Sequence, residues 1–428
     1  MNLTVKPAGF LTGSVELPAS KSYTIRALLV ASVGGKSNII NPSFCDDVVV
    51  ALRTAQSLGA KITRQGKKVI RVSANPKTSS PAQINVGESG TVLRFLLPLA
   101  ALRAQKVKIV GEGTLKSRPN FYLTQVLRDM GVDIIGRGKK QCVPIEIRGG
   151  RLTGGRVEID GSLSSQFISA LLITCPRLEK DTELYIKGKQ IVSETYITMT
   201  LQVLKKCGIK IIGKGSRIFN IPGQQKFKGL GNFTVPSDYG LAAFLIAAAV
   251  LVKSDITLTG FLRNDFIQAD GAILSLLKKM GVQFQKTARA IRIKGPFRLR
   301  GGNFSLKDCP DLLPIMSILA LFANGKTRLY DIGHARVKES DRISDLRDEL
   351  LKINARVFEK NNEMIIEPQT SYKNDCLLDP HHDHRLAMAF SVLGLKLGAR
   401  VKDIECVAKS YPDFVRDFMK MGSKVTKS

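Results

Sequence analysis

Two kinds of helical pattern alternate along the chain. The first is amphipathic and stops at Gly or Asn: LRTAQSLGAKI (Gly59), TQVLRDMGVDI (Gly131), LQVLKKCGIKI (Gly208), ILSLLKKMGVQF (Gly281), ELLKINARV (Asn354) and DFMKMGSKV (Gly422). A Gly or Asn just past an apolar-periodic run predicts a helix C-cap, because these residues tolerate positive φ. The second kind, at 22–32, 89–102, 164–174, 237–251, 310–323 and 383–395, opens on polar residues and then turns apolar on nearly every face. Such a stretch predicts a buried helix. Strand-like runs such as VKIVG, TELYIKG, DITLTG and TRLYDIG follow most of these stretches. The caps recur at intervals of 72, 77, 73, 73 and 68 residues. The chain therefore reads as six strand–helix–strand–helix–strand repeats, three on each side of Val235-Pro236. The opening LTVKPAGFLTGSVELP has strand pattern and no helix of its own. The pattern leaves open which half it joins.

The polar starts of the buried helices are Lys21-Ser22, Ser89-Gly90-Thr91, Ser164-Ser165-Gln166, Ser237-Asp238, Asp311 and Asp383-His384-Arg385. N-capping accounts for Ser237 and Asp238. It does not account for Gln166, nor for Lys21 and Arg385, which bring positive charge to the positive end of a helix. Stacked repeats would gather these helix ends and cations into an anion site. The segment Ala335–Arg342 puts Lys338 and Arg342 at i,i+4 and Glu339 and Arg342 at i,i+3. Taken alone it reads as a salt-bridged, solvated helix. Lys409 in VAKSYPDF reads the same way.

Composition narrows the class. With 44% apolar residues in 428, the chain is a folded protein of two or three domains. Its longest apolar run, about Gly240–Val252, falls short of the ~20 residues of a membrane span. The opening residues lack the apolar core of a secretory signal. Seven scattered cysteines (45, 142, 175, 207, 309, 376, 406) with no CxxC suggest free thiols in a reducing cytoplasm.

The net charge is 65 − 36 = +29. Basic runs at 48–87, 195–237 and 271–307 carry seven, seven and nine cations and no acid. They are almost free of aromatic residues for base stacking, which favours solvated faces over a nucleic-acid surface. Gly34-Gly35-Lys36-Ser37 resembles a P-loop tail, but Val30 stands where the first glycine belongs. GEGTLK (111–116) fails the dinucleotide fingerprint. Pro380–His384 holds three of the four histidines with no companion ligand motif, so a helix start is favoured over a metal centre.

Taken together and in order, certain motifs resemble the 5-enolpyruvylshikimate-3-phosphate synthase family along the whole chain. They are Leu17–Ser22 with Arg26, Gly90-Thr91 with Arg94, Ser117-Arg118-Pro119, Gly161–Phe167, Pro310-Asp311, Arg336–Arg342, Asp383-His384-Arg385 and Ala408-Lys409. The resemblance implies an α/β fold of two similar domains, each of three βαβαββ units with buried helices and outer sheets. Residues 20–235 would form the first domain, and 1–19 with 236–428 the second, with the active site in the cleft between them. The implied reaction moves the enolpyruvyl group of phosphoenolpyruvate to the 5-hydroxyl of shikimate 3-phosphate by addition and elimination through a tetrahedral intermediate. Phosphate is released, on the shikimate pathway to chorismate and aromatic amino acids.

Both substrates carry a phosphate and a carboxylate, which calls for many Lys and Arg. By position, Lys21, Ser22, Arg26, Ser164, Ser165, Gln166, Ser193, Tyr196, Asp311 and Lys338 match the shikimate 3-phosphate set. Lys21, Gly90, Arg118, Gln166, Arg342, Arg385 and Lys409 match the phosphoenolpyruvate set. Asp311 resembles the acceptor of the 5-hydroxyl proton, Glu339 the donor to the methylene carbon, and Lys21 a further catalytic group. The resemblance implies no metal, no cofactor, no nucleic-acid or membrane partner, a cytoplasmic monomer, and glyphosate as an inhibitor.

The chain departs from the family pattern at Ala19, Glu88, His334, His382 and within Ser193–Tyr196. Phe95 stands where Pro is usual in glyphosate-sensitive members. A rival of the same fold, the transferase acting on UDP-N-acetylglucosamine, would show Lys-Asn where Lys21-Ser22 stands, and a reactive loop cysteine.

Overall fold

The computed structural model of the chain describes residues 1–75, 81–103 and 106–428. They fall into two compact units, Ala19–Val235 and Met1–Pro18 with Pro236–Ser428. Lys77 of the first basic run lies outside the described residues.

The chain opens with β1 (Leu3–Val5) and β2 (Leu11–Glu16). The first repeat then runs α1 (Lys21–Val33), β3 (Lys36–Ile40), α2 (Asp46–Ser57), β4 (Lys61–Gln65) and β5 (Val69–Ser73). The second is β6 (Gln83–Asn85), α3 (Gly90–Ala101), β7 (Val107–Val110), α4 (Phe121–Asp129), β8 (Val132–Arg137) and β9 (Cys142–Gly150). The third is β10 (Gly155–Asp160), α5 (Ser165–Thr174), β11 (Thr182–Lys187), α6 (Glu194–Lys206), β12 (Ile212–Lys214) and β13 (Ile218–Ile221), followed by β14 (Gly231–Thr234). Each repeat closes one four-stranded sheet: β14-β3-β5-β4, β6-β7-β9-β8 and β10-β11-β13-β12. In each, the first two strands are parallel and the other pairings antiparallel. The first repeat takes its leading strand from β14 at the far end of the unit.

The second unit repeats the plan. Its fourth repeat is α7 (Tyr239–Leu251), β15 (Ser254–Thr259), α8 (Ala272–Lys279), β16 (Gln285–Lys286) and β17 (Ala290–Ile293). After β18 (Leu299–Arg300), the fifth is β19 (Asn303–Ser305), α9 (Leu313–Leu321), β20 (Ala323–Asn324), β21 (Thr327–Tyr330), α10 (Ser344–Leu351), β22 (Arg356–Lys360) and β23 (Glu363–Glu367). The sixth is β24 (Cys376–Leu378), α11 (His384–Leu397), β25 (Ala399–Val401), α12 (Phe414–Lys420) and β26 (Val425–Lys427). The sheets are β16-β17-β15-β2, β19-β21-β23-β22 and β24-β25-β1-β26, with β18 and β20 as a short extra pair. Both opening strands thus pair within this unit: β2 leads the fourth repeat parallel to β15, and β1 completes the sixth between β25 and β26.

The buried helices form the cores. All thirteen residues of α7 are buried, and its Ala-rich sequence lets α9 and α11 pack against it. In the other unit α3 packs on α5, and α1 and α5 pack on α6. The capped helices end as their sequence requires, with Gly208 at φ 84° and Asn354 at φ 60°. One buried helix differs from expectation. Residues 310–312 form a 3₁₀ turn, and α9 begins only at Leu313. Pro310 and Pro314 supply no N–H donors there, so the start of this helix is built from a turn.

The cations of the three basic runs are exposed among the described residues, except Lys286 and Lys307, which are half-buried. All seven cysteines are unbonded, six of them buried and Cys406 half-buried.

Candidate active site

In the Ala19–Val235 unit the helix starts carry most of the candidate residues. Ser20 caps α1, accepting from the Tyr23 N–H, so Lys21 falls on the first turn. A cation is disfavoured at that end of a helix, and a buried carboxylate offsets it: Lys21 Nζ lies 2.9 Å from Asp47 Oδ2. Asp47 stands in the first turn of α2, where a carboxylate is favoured.

One turn into α1, Arg26 is 1% exposed. Its Nε donates to Thr200 Oγ1 (2.8 Å), Nη1 to the Ser22 carbonyl (3.1 Å) and Nη2 to the Tyr196 carbonyl (3.3 Å). The rings of Phe95 and Tyr196 lie 5.3 and 5.7 Å away. Burial lowers the Arg26 pKa to about 10, with partial compensation from Tyr196 and Tyr23. The guanidinium therefore stays charged at neutral pH. Ser193, the residue immediately before α6, holds a left-handed φ of 55° and is buried. That conformation is sparsely populated by non-glycine residues and costs on the order of 1–3 kcal/mol.

The starts of α3 and α5 meet through a second buried arginine. Arg94 Nη1 donates to Gln166 Oε1 and, at 3.5 Å, to Ser164 Oγ, while Nη2 donates to the Pro119 carbonyl (3.2 Å). Gln166 Nε2 in turn donates to Thr91 Oγ1 (2.9 Å). Ser164 caps α5, and Ser165 is its first residue and buried. Arg118 is buried, and its guanidinium lies over the first residue of α3. A Cβ added to Gly90 would stand 2.8 Å from Arg118 Nη1. Only glycine leaves that seat open.

In the other unit one buried arginine gathers three carboxylates. Arg342, 1% exposed, donates from Nε to Asp383 Oδ2 (2.6 Å), from Nη1 to Asp311 Oδ1 (2.7 Å) and from Nη2 to Glu339 Oε2 (3.0 Å). Burial alone would lower its pKa. Asp383, Asp311 and Glu339 outweigh that and hold it well above the usual value.

Arg385 takes the other oxygen of Asp311, with Nη2 2.8 Å from Oδ2, and its Nη1 donates to the Gly240 carbonyl (3.2 Å). Asp270 Oδ2 lies 4.0 Å from the same guanidinium. The starts of α7, α9 and α11 therefore meet around Arg385. Lys338 Nζ is 3.8 Å from Asp311 Oδ1. Burial would raise the Asp311 pKa, but Arg385, Lys338 and Arg342 together hold it well below the carboxylate range. Asp311 is thus ionised at neutral pH and, in this arrangement, a weak base.

Residues 338–343 are irregular rather than helical, and Arg342 is buried rather than solvated. The helical spacing survives only in the Glu339–Arg342 pair. Partners from residues 311 and 383 draw the segment inward. Lys409 is likewise buried, at the end of a 3₁₀ turn packed on α11.

The departures from the family pattern find places too. His334 is 8% exposed, and burial first, then Lys338, lowers its pKa to about 3, against Asp311. It is neutral at any physiological pH. Glu88 packs against Gly113, where an added Cβ would overlap its carboxylate. His381 approaches Glu349, His382 approaches Asp403, and the buried His384 lies beside Asp383, so the three histidines point to separate carboxylates. Cys142 is buried on β9, and burial raises its pKa. It has neither the exposure nor the thiolate character of a reactive loop cysteine.

Sequence reasoning passed over Asp47 and Asp270. A signal existed for Asp47: between positions 17 and 87 the only acids are Asp46 and Asp47, at a helix start in a basic stretch.

The sequence profile of a family described as EPSP synthase (3-phosphoshikimate 1-carboxyvinyltransferase) matches residues 5–418. A protein from Methanocaldococcus jannaschii named 3-phosphoshikimate 1-carboxyvinyltransferase is 35% identical over 428 residues, covering 99% of each chain. One of the same name from Clostridium beijerinckii is 33% identical, covering 98% of this chain and 97% of its own. Among solved structures, EPSP synthase from Acinetobacter baumannii superposes with a TM-score of 0.81 at 24% identity over all of both chains. The enolpyruvyl transferase NikO from Streptomyces tendae gives 0.80 at 18%, covering 100% of this chain and 98% of its own. Both structures share the α/β fold.

Proposed function

The chain belongs to the EPSP synthase family, and from that premise we propose how its residues divide the work of the reaction. The enzyme is a transferase. It moves the enolpyruvyl group of phosphoenolpyruvate to the 5-hydroxyl of shikimate 3-phosphate and releases phosphate. Once the substrates engage the arginines, Glu339 takes up a proton from solvent. In the addition step the 5-oxygen bonds to C2 of phosphoenolpyruvate, its proton passes to Asp311, and Glu339 delivers its proton to C3. In the elimination step the Glu339 carboxylate takes a proton back from C3, the C2–C3 double bond re-forms, the C2–O bond to phosphate breaks, and Asp311 gives its proton to the departing phosphate.

Lys21, Ser22, Arg26, Ser164, Ser165, Gln166, Ser193, Tyr196 and Lys338 bind shikimate 3-phosphate in this reading. Lys21, Gly90, Arg118, Gln166, Arg342, Arg385 and Lys409 serve phosphoenolpyruvate. The observation that carries it is the Asp311 carboxylate, bonded at 2.7 Å to Arg342 and 2.8 Å to Arg385, with Glu339 on the same Arg342. Anionic substrates that engage these arginines would loosen their hold on the carboxylates. The carboxylates would then become stronger bases at the moment the proton must move. Glyphosate, if it competes here, would meet the same arginines. For Tyr196 the support is its ring and carbonyl on Arg26.

The enzyme acts in this reading as a cytoplasmic monomer of two domains without metal or cofactor. No helix among the described residues is long and apolar enough to cross a membrane, and the seven thiols are unpaired. The test of the function is release of inorganic phosphate from phosphoenolpyruvate. It should require shikimate 3-phosphate, and UDP-N-acetylglucosamine should not replace it. Phosphate release that ignores shikimate 3-phosphate would overturn the reading.

A further inference from the structure

We infer that Asp47, which touches no substrate in the reading above, is a positioning residue that sets the Lys21 ammonium for the transfer. The inference rests on the role proposed for Lys21. Its own basis is geometric.

Lys21 sits on the first turn of α1, where the helix dipole repels a cation. A four-carbon side chain at such a place would swing into solvent, since ordering it costs up to about 2 kcal/mol of rotamer entropy. Instead the Lys21 side chain is only 15% exposed, and its ammonium lies 2.9 Å from Oδ2 of Asp47, whose side chain is 7% exposed. Asp47 is fixed in turn. It belongs to the first turn of α2, and α1 and α2 pack along one another. The carboxylate thus ties the start of the substrate-facing helix to the start of its neighbour. The pairing fixes where the ammonium sits.

Asp47 also acts against binding, because it adds a negative charge beside a group that must receive anions. A residue that only held the fold together would have no such dual effect. Replacing the carboxylate by its neutral isostere should therefore separate the two. Lys21 loses its anchor and turnover falls, while ground-state binding of the anionic substrates is kept or improved.

The experiment compares Asp47→Asn, Asp47→Glu, Lys21→Met and the double variant Lys21→Met/Asp47→Asn. Turnover is measured by phosphate release, shikimate 3-phosphate binding by calorimetry, and folding by thermal unfolding. Asp47→Asn should lower kcat by about 10–100-fold, as expected when a reacting group is misplaced by about 1 Å. Its Kd for shikimate 3-phosphate should stay equal or become smaller. Asp47→Glu should restore part of the loss. In the Lys21→Met background, adding Asp47→Asn should cost less than twofold, because Asp47 acts through Lys21.

A kcat for Asp47→Asn within twofold of the parent would overturn the proposal. So would an equal cost in the two backgrounds. If Lys21→Met itself keeps its turnover, the reading of Lys21 fails, and the role of Asp47 falls with it. If Asp47→Asn does not fold, Asp47→Glu decides: it folds with the charge kept and its geometry changed, and an unaltered kcat there counts against positioning.

Discussion

Arg26 and Arg342 are equally buried, at 1% exposure each, and are held in opposite ways. Neutral oxygens and two aromatic rings surround Arg26. Three carboxylates surround Arg342. The contrast extends through the two units. Arg94, like Arg26, donates to amide, hydroxyl and carbonyl oxygens of Asn120, Gln166, Ser164 and Pro119. Arg385, like Arg342, faces carboxylates, those of Asp311 and Asp270.

A guanidinium held by neutral groups keeps its field for an incoming anion, at the cost of desolvation that only a modest pKa reduction records. A guanidinium held by carboxylates presents a nearly compensated cluster. An anion must compete with the carboxylates, and each carboxylate released becomes a base. The first arrangement suits binding, and the second suits proton transfer.

The largest expected effect sharpens that contrast. Arg342→Met would take the arginine from Asp383 and Glu339 and leave Asp311 to Arg385 and Lys338, and breaking a buried charge cluster this way costs about 3–5 kcal/mol. Arg26→Met leaves only neutral acceptors unpaired, a loss of about 1–3 kcal/mol. Thermal unfolding of the two variants should rank them in that order. Equal shifts would erase the distinction between the two environments.

Next in size, Arg385→Ala should raise the KM for phosphoenolpyruvate about tenfold or more while the affinity for shikimate 3-phosphate changes little. Gly90→Ala should do the same more weakly, by displacing Arg118 from its seat. Steady-state kinetics with each substrate varied would check both. A matched rise for both substrates would break the assignment.

A smaller effect concerns pH. His334 is held near pKa 3 in the fold against 6.5 when free, chiefly by burial and Lys338. The folded form stays neutral while the unfolded chain takes up a proton below about pH 6.5. The contribution is therefore complete above that pH and lost progressively as pH falls toward 3. His334→Asn should flatten the acid limb of a stability–pH profile. An unchanged limb would show that His334 is not held neutral.

The smallest effect is expected on the exposed basic face of the third repeat. Lys205→Gln with Lys206→Gln should leave turnover within about twofold at moderate salt, because charges there are screened beyond ~10 Å. A tenfold fall in kcat/KM would assign that face a part in catalysis.

The repeats could be read from the sequence because their signals are local. A capping Gly208 or Asn354 after an apolar period needs no distant partner to be recognised. The borrowed strands could not be read that way. β14 serving the first repeat and β1 serving the sixth are pairings across about 190 and 400 residues. The stretch 335–342 misleads for the same reason. Its spacing fits a helix, but its conformation is set by Asp311 and Asp383, which lie 31 and 41 residues from Arg342. Lys21, Arg385, Ser22, Ser164 and Ser165 were legible as polar residues opening apolar helices. Asp47 and Asp270 were not, because an acid at a helix start is ordinarily just a favourable dipole contact.

The central claim is that the carboxylate-rich cluster moves protons as its arginines engage phosphoenolpyruvate, while an arginine held by neutral oxygens, such as Arg26, serves binding alone. Asp311→Asn tests it most directly, because the amide keeps the shape and removes the base. Its kcat and its Kd for shikimate 3-phosphate should be measured on the same preparation. The account expects kcat to fall by about 10²–10⁴-fold with Kd within about threefold of the parent. A near-normal kcat, or a variant that turns over normally once bound but has lost shikimate 3-phosphate affinity, would contradict it.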